Sequence, residues 1–311
     1  MAEWLYEAGI GEARAALVEG GRIVAARIER PGGLRVGTVF EARLVERVAA
    51  GLSRVEGDAG AAVIERVPPG VTEGARLRVE VVREALPEPG RSKLAKAVAT
   101  DAPPMAGRDL LARLEKSGTP VRLLRAHEPD ALEAAGWSEV LDEALTGEIA
   151  FAGGALRLSP TPAMTLFDVD GPGAIPALAV AAATAAAEAM VRHDIGGSIG
   201  IDFPTVTGKA ERQAVAEAID AVLPQPFERT ALNGFGFLQI VRPRPRASLP
   251  ELLRADVTAV EALALLRQIE RIPPPVPPVH TAPPRVAAWL TARSDLIAAL
   301  SRSVGVPISF V

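Results

Sequence analysis

Between residues 163 and 203 the chain reads as strand, helix, strand, and this unit constrains the fold more than any other stretch. Ala163–Asp170 is a β-like run, an Ala-rich helix follows and ends near His193, Gly196-Gly197 should cap that helix, and Ser198–Phe203 is the next strand. Two strands joined by a helical crossover in one sheet run parallel, because the helix carries the chain back to its starting edge. Asp168 and Asp170 therefore end the first strand on the side of the sheet where Asp202 ends the second. Ligand crevices of open α/β sheets form at that side. Asp168 and Asp170, two positions apart, project from one face. Crowded carboxylates repel unless a cation sits between them, and a hard ion such as Mg²⁺ accepts few protein ligands and keeps its waters. Such a cluster can activate water and stabilise charge on a phosphoryl group. On spacing alone a turn or cap role is the stronger reading, since Asp170-Gly171-Pro172 is good turn chemistry by itself.

The rest of the chain surrounds this unit with smaller ones. Glu12–Arg30 alternates about Gly20-Gly21 as a hairpin, and short β-like runs follow at Thr38–Val45, Ala61–Glu65 and Arg76–Val82, as in a small barrel. Leu86–Arg91 reads as a loop and Ser92–Ala99 as a basic, Ala-rich stretch. A helix around Arg108–Ser117, a strand at Val121–Leu124 and a single helix over Ala131–Leu145 come next. A second hairpin spans Gly147–Leu158. Past the central unit come helix Glu211–Val222 and strand Gly236–Val241. Helix Val257–Ile269, an extended linker over Pro273–Pro278, one helix over Arg285–Ser301 and a strand at Val306–Val311 complete the chain.

A chain of 311 residues can bury two or three compact cores. It contains no cysteine, which excludes disulfides, thiolate-ligated zinc and thiol catalysis and suits the cytoplasm, the expected location. The apolar stretch Ala174–Val191 contains Pro176 and Glu188 between two strands, so a buried helix is expected and no membrane span. The net charge of −4 does not advertise a nucleic-acid binder, although the cations are unevenly placed.

Three strings carry a family resemblance: Thr165-Leu166-Phe167-Asp168-Val169-Asp170-Gly171, His193-Asp194-Ile195-Gly196-Gly197 and Ile199-Gly200-Ile201-Asp202-Phe203. Together they resemble the catalytic DNase I-like region of the RNase E/G endoribonucleases. Gly234 to Arg244, Gly-Phe-Gly-Phe-Leu-Gln-Ile-Val-Arg-Pro-Arg, is similar to that family's Phe-Gly-Leu-(Leu/Val)-Glu-Met-(Ser/Thr)-Arg-Gln-Arg segment, in the same order. Ala15–Arg22 with Ile28-Glu29-Arg30 resembles the opening hairpin, Gly37–Ala99 the inserted ribosomal-S1-type barrel, and Val286–Leu290 with Gly305–Ile308 the C-terminal small domain.

The resemblance implies a multidomain α+β chain. Residues 1–35 and 116–145 would be an RNase H-like portion and 36–98 a degenerate S1-type OB barrel. Residues 146–246 would be the DNase I-like α/β catalytic region, and 247–311 the small domain with its Pro-rich linker. It implies hydrolysis of single-stranded RNA in RNA processing or decay, with Mg²⁺ (or Mn²⁺) on Asp168 and Asp202 and with Asp170 in place of the family's usual Asn. The alternative is a catalytically weak or inactive RNA-binding or regulatory relative. Departures bear on both. The family's Cys-Pro-x-Cys zinc link is replaced by Pro245-Arg246-Ala247-Ser248, so a homo-oligomer would form without zinc. The stretch from Ala99 to Leu110 is too short for a sensor of 5′-monophosphate ends, and Val63 and its neighbours stand where stacking Phe residues are expected.

Several cations are candidates for RNA contact, each beside a plainer role. Arg242, Arg244 and Arg246 alternate with Pro243 and Pro245, which extends the segment and lets it follow a phosphate backbone or simply stiffen a solvated strand end. Lys209 and Arg212 follow Asp202 closely enough to reach a scissile phosphate, or stay solvated. Arg91 and Lys93 belong to the barrel's last loop, where charge is usually solvated. His193, at a helix end, is read as a dipole-compensating cap.

Overall fold

The computed structural model describes residues 1–48, 51–88 and 91–311, and of residues 91 and 92 the backbone alone. Strands β1 (Glu3–Ala8), β2 (Ala13–Glu19) and β3 (Arg22–Glu29) form an antiparallel meander. Gly20 and Gly21 both take positive φ, as a two-residue hairpin turn with the strand's own twist demands. β4 (Val39–Arg47), β5 (Ser53–Gly57), β6 (Gly60–Ile64) and β7 (Arg76–Arg83) follow, then the small hairpin β8 (Leu86–Glu88) with β9 (Arg91–Lys93), and β10 (Ala95–Ala99). The first four and β10 close a barrel, with β10 parallel to β6 and antiparallel to β7. Leu44, Val55, Ile64, Val79 and Val81 fill it. Leu86–Glu88, within the stretch expected to be a loop, is thus one strand of a hairpin. The basic, Ala-rich stretch supplies the closing strand, burying Ala95 and Ala97 while Lys96 and Val98 face outward.

Helix α1 (Leu110–Lys116) leads to β11 (Val121–Leu124), which pairs with β1 in parallel. The helix expected over Ala131–Leu145 is two, α2 (Ala131–Ala134) and α3 (Trp137–Thr146). Gly136, at φ 97°, separates them. Asp130 caps α2, accepting from the N–H groups of Leu132 and Glu133 at 3.1 Å each.

The larger sheet contains β12 (Glu148–Phe151), β13 (Gly154–Pro160), β14 (Thr165–Asp170), β15 (Gly197–Asp202), β16 (Glu228–Arg229) and β17 (Phe237–Arg242). Helix α4 (Ile175–Arg192) links β14 to β15, and α5 (Lys209–Val222) follows β15. The order is β12-β13-β14-β15-β17-β16, and β14 and β15 run parallel as the crossover requires. One face buries Phe167, Val169, Ile199, Ile201, Leu238 and Ile240 in a core shared with α4 and α5. Among the described residues α4 alone is long and apolar enough to cross a bilayer, but Ala182, Ala183, Ala186 and Met190 are fully buried as core. Gly196-Gly197 does not cap it. Asp194 takes the left-handed turn at φ 54°, and Ile195 N–H reaches back to Met190 O at 2.9 Å, closing the helix with an aspartate where glycine is usual.

The chain ends with α6 (Leu249–Ala255), α7 (Val257–Glu270), β18 (Val279–His280), α8 (Pro284–Thr291), α9 (Ser294–Val304) and β19 (Ser309–Phe310). The single helix expected over Arg285–Ser301 breaks at Arg293, whose φ of −129° is not helical. Val276, inside the Pro-rich stretch, is buried among α7 and α8 side chains, so this stretch is anchored to a core and is no free spacer.

Two compact units result: residues 1–31, 110–138 and 253–311 make one, and residues 32–109 and 139–252 the other. The first buries charge as well as apolar surface. Arg14, its side chain 1% exposed, donates to Glu7 and, at 2.6 Å, to Asp130. Arg271 pairs with the same two carboxylates, closing a ring. Burial pulls the Arg14 guanidinium down, but the charges of Glu7 and Asp130 outweigh it and leave its pKa raised. Glu12 accepts from Arg267 at 2.6 Å and from Arg30 at 3.1 Å.

Candidate active site

β14 alternates by design of its sequence: Thr165, Phe167 and Val169 are buried, while Asp168 and Asp170 are exposed on the opposite face. In the parallel register Asp168 stands directly opposite Asp202. Paired residues on neighbouring strands share a face and lie about 5 Å apart, so the two carboxylates are side by side. The register extends further. Glu148 faces Arg157, Arg157 faces Asp168, and Asp202 faces Phe237, forming one row across five strands. Asp170 occupies the same face one step along β14, opposite Ala155.

Arg157 is a member of this row that the sequence reading missed. Its Nε donates to Glu148 at 3.0 Å. That hydrogen bond first, and then the charges of Asp170 and Asp168, hold the guanidinium above its ordinary pKa. Only strand register shows the connection, because eleven positions of sequence separate Arg157 from Asp168.

Two loops border the same end of the sheet. After Asp202 the chain turns through Pro204–Gly208 into α5, whose first residue, Lys209, is exposed. Arg212 donates to the carbonyls of Val206 and Thr207 at 3.1 and 2.7 Å, so it braces this loop. The second loop, Asn233–Gly236, is tied to the first by Phe203 N–H donating to Gly236 O at 2.9 Å. Asn233 Oδ1 accepts from the N–H groups of Phe235 and Phe237 at 2.9 and 3.0 Å, which fixes the turn and leaves Phe235 87% exposed. In the sequence Phe235 stands out only as part of the Gly234–Arg244 segment, on the Phe-Gly of the motif it resembles, and not as a site residue; a ring between two glycines, in Gly234-Phe235-Gly236, was the further signal.

Other sequence candidates lie elsewhere. Arg242 pairs with Gly197, at the start of β15, whereas Asp202 ends that strand. The Arg242–Arg246 run therefore leaves the sheet some five residues, or roughly 16 Å at strand rise, from the Asp pair. There Arg242 donates to Ile195 O at 3.3 Å, Arg244 pairs with Glu251, and Arg246 lies 3.4 Å from Asp194. Burial lowers the pKa of Arg242. Lys93 pairs with Glu88 on the small hairpin, and the side chain of Arg91 lies outside the described residues. His193 is fully buried with Nε2 3.0 Å from Glu143, so its side chain is core structure and its backbone ends α4. Phe40, the barrel's one aromatic residue, is buried.

As donors, the Asp168–Asp202 pair offers hard oxygen ligands with room for water, a set that suits Mg²⁺ or Mn²⁺. Among the described residues no group of three or more acidic or histidine side chains forms a ready cage for a metal. Compared with protein-family models and with curated proteins, the chain matches none.

Proposed function

We propose that the chain is a Mg²⁺-dependent endoribonuclease of the RNase E/G type, acting on single-stranded RNA in the cytoplasm, with Asp168 and Asp202 as its metal carboxylates. The β14–β15 register carries this reading, because it aligns two exposed carboxylates at the open end of a parallel strand pair. Two protein carboxylates completed by water and substrate phosphate are the usual share of a protein in holding Mg²⁺. Bound there, the ion would neutralise phosphoryl charge and acidify a water. Asp170, on the same face, would orient that water by accepting its hydrogen bond. Lys209 and Arg157 would offer positive groups to the phosphates, Arg157 by exchanging Glu148 for substrate. In this reading residues 146–246 are DNase I-like, 36–98 are an S1-type OB barrel, 1–35 with 116–145 are RNase H-like, and 247–311 are the small domain.

A second reading, an RNA-binding relative without turnover, is favoured by Arg157. Standing opposite Asp168, it is a built-in counter-ion that competes with a metal. One incubation of a labelled, unstructured oligoribonucleotide with and without Mg²⁺ separates the two. The nuclease reading expects cleavage that leaves a 5′-phosphate on the downstream product, abolished by Asp168→Asn or Asp202→Asn and little changed by 5′-monophosphorylation of the substrate. Intact RNA that is nevertheless bound in a salt-sensitive way supports the second reading.

A further inference from the structure

We infer that Phe235 is the stacking platform for an unpaired nucleobase of the strand addressed by Asp168 and Asp202, an inference that rests on the function proposed above. Phe235 is the one Phe, Tyr or Trp ring left exposed among the described residues, at 87%. Its turn is not loose. Asn233 holds it from both sides, through Oδ1 to the Phe235 and Phe237 N–H groups and through its own O to Gly236 N–H at 3.2 Å. Gly236 adopts φ 92°, and a Cβ there would meet Phe203 O, so glycine is required where this turn is fastened to the strand end of Asp202. The ring thus projects into water from a rigid support, two residues before Phe237, the register partner of Asp202. A turn made of Asn233, two glycines and one ring offers no second apolar side chain to bury against a protein partner, whereas one ring face is all that a base requires. The barrel has no exposed ring to do this work.

The test compares wild type, Phe235→Ala and Phe235→Trp, all full-length, for equilibrium binding of an unstructured oligoribonucleotide without Mg²⁺ and for cleavage with it. Stacking of one base predicts that Phe235→Ala weakens binding by roughly 5- to 150-fold. Phe235→Trp should bind at least as well, with its added indole fluorescence quenched by RNA. Scanning a single abasic residue along the oligonucleotide should find one position where wild type loses that same factor and Phe235→Ala loses nothing more. Equal affinities of wild type and Phe235→Ala, or abasic losses identical in both, would overturn the inference. So would a change in self-association, with RNA binding untouched. Phe235-dependent binding without cleavage would leave stacking standing and reject the nuclease; cleavage indifferent to Phe235→Ala would do the reverse.

Discussion

Glu143 shows how one half-buried side chain links the chain's stability to pH. It accepts from His193 at 3.0 Å and forms an ion pair with Arg192 at 3.1 Å. Burial pushes its carboxyl up, but the hydrogen bond to His193 and the charge of Arg192 outweigh burial and hold it below the ordinary glutamate value of 4.5. A carboxyl lowered by folding stabilises the native state above its unfolded pKa, and that contribution fades as pH falls through the folded value. Glu143→Gln is therefore expected to be less stable than wild type at neutral pH, with the gap closing below the ordinary glutamate range. Urea unfolding of both proteins at about pH 7 and about pH 3 measures it, and an unchanged gap would refute the assignment. The Asp168–Asp202 pair belongs to the same scale, but its residues stand in water and take their meaning from each other.

Among the elements, α4 is the one whose composition does most. Ala179, Ala182, Ala183 and Ala186 are all fully buried, so the helix packs through methyl groups and leaves no space for larger side chains. Ala183→Leu should overpack this layer and cost about 1–3 kcal/mol, read as a lower urea midpoint with an unchanged slope. Where pattern and burial coincide, the sequence was legible: the Gly20-Gly21 hairpin, the β14–α4–β15 crossover and the two Asp-bearing strand ends were all read in place. It was less legible where tertiary contact overrides composition. Ala95–Ala99 looks like no strand by its residues, yet small side chains are what the closing strand of a tight barrel buries. Gly136 and Arg293 divide helices that looked continuous, because backbone angles rather than apolar spacing set those breaks. The row from Glu148 to Phe237 depends on register, and Phe235 depends on exposure; neither is written in the spacing of residues.

At the scale of the whole molecule, the first unit is assembled from three separated segments, residues 1–31, 110–138 and 253–311. A chain ending at Leu252 retains every residue of the second unit and loses Arg267, Arg271 and the α7–α9 core of the first. Hydrogen exchange on that truncated chain should show β1–β3 losing protection while β13–β17 keep theirs. Protection retained in β1–β3 would mean that the hairpin sheet stands without its late partners. The ion pair between Glu12 and Arg267 spans 255 positions of sequence. At a synthesis rate of about 5–20 residues per second, Arg267 is added roughly 13–50 s after Glu12. For that interval the nascent chain trails an unfinished hairpin whose acids await arginines not yet translated, while the barrel behind it can already close. Codon pace and chaperone occupancy during those seconds then become determinants of yield, and slowing the ribosome after the barrel would lengthen the exposure.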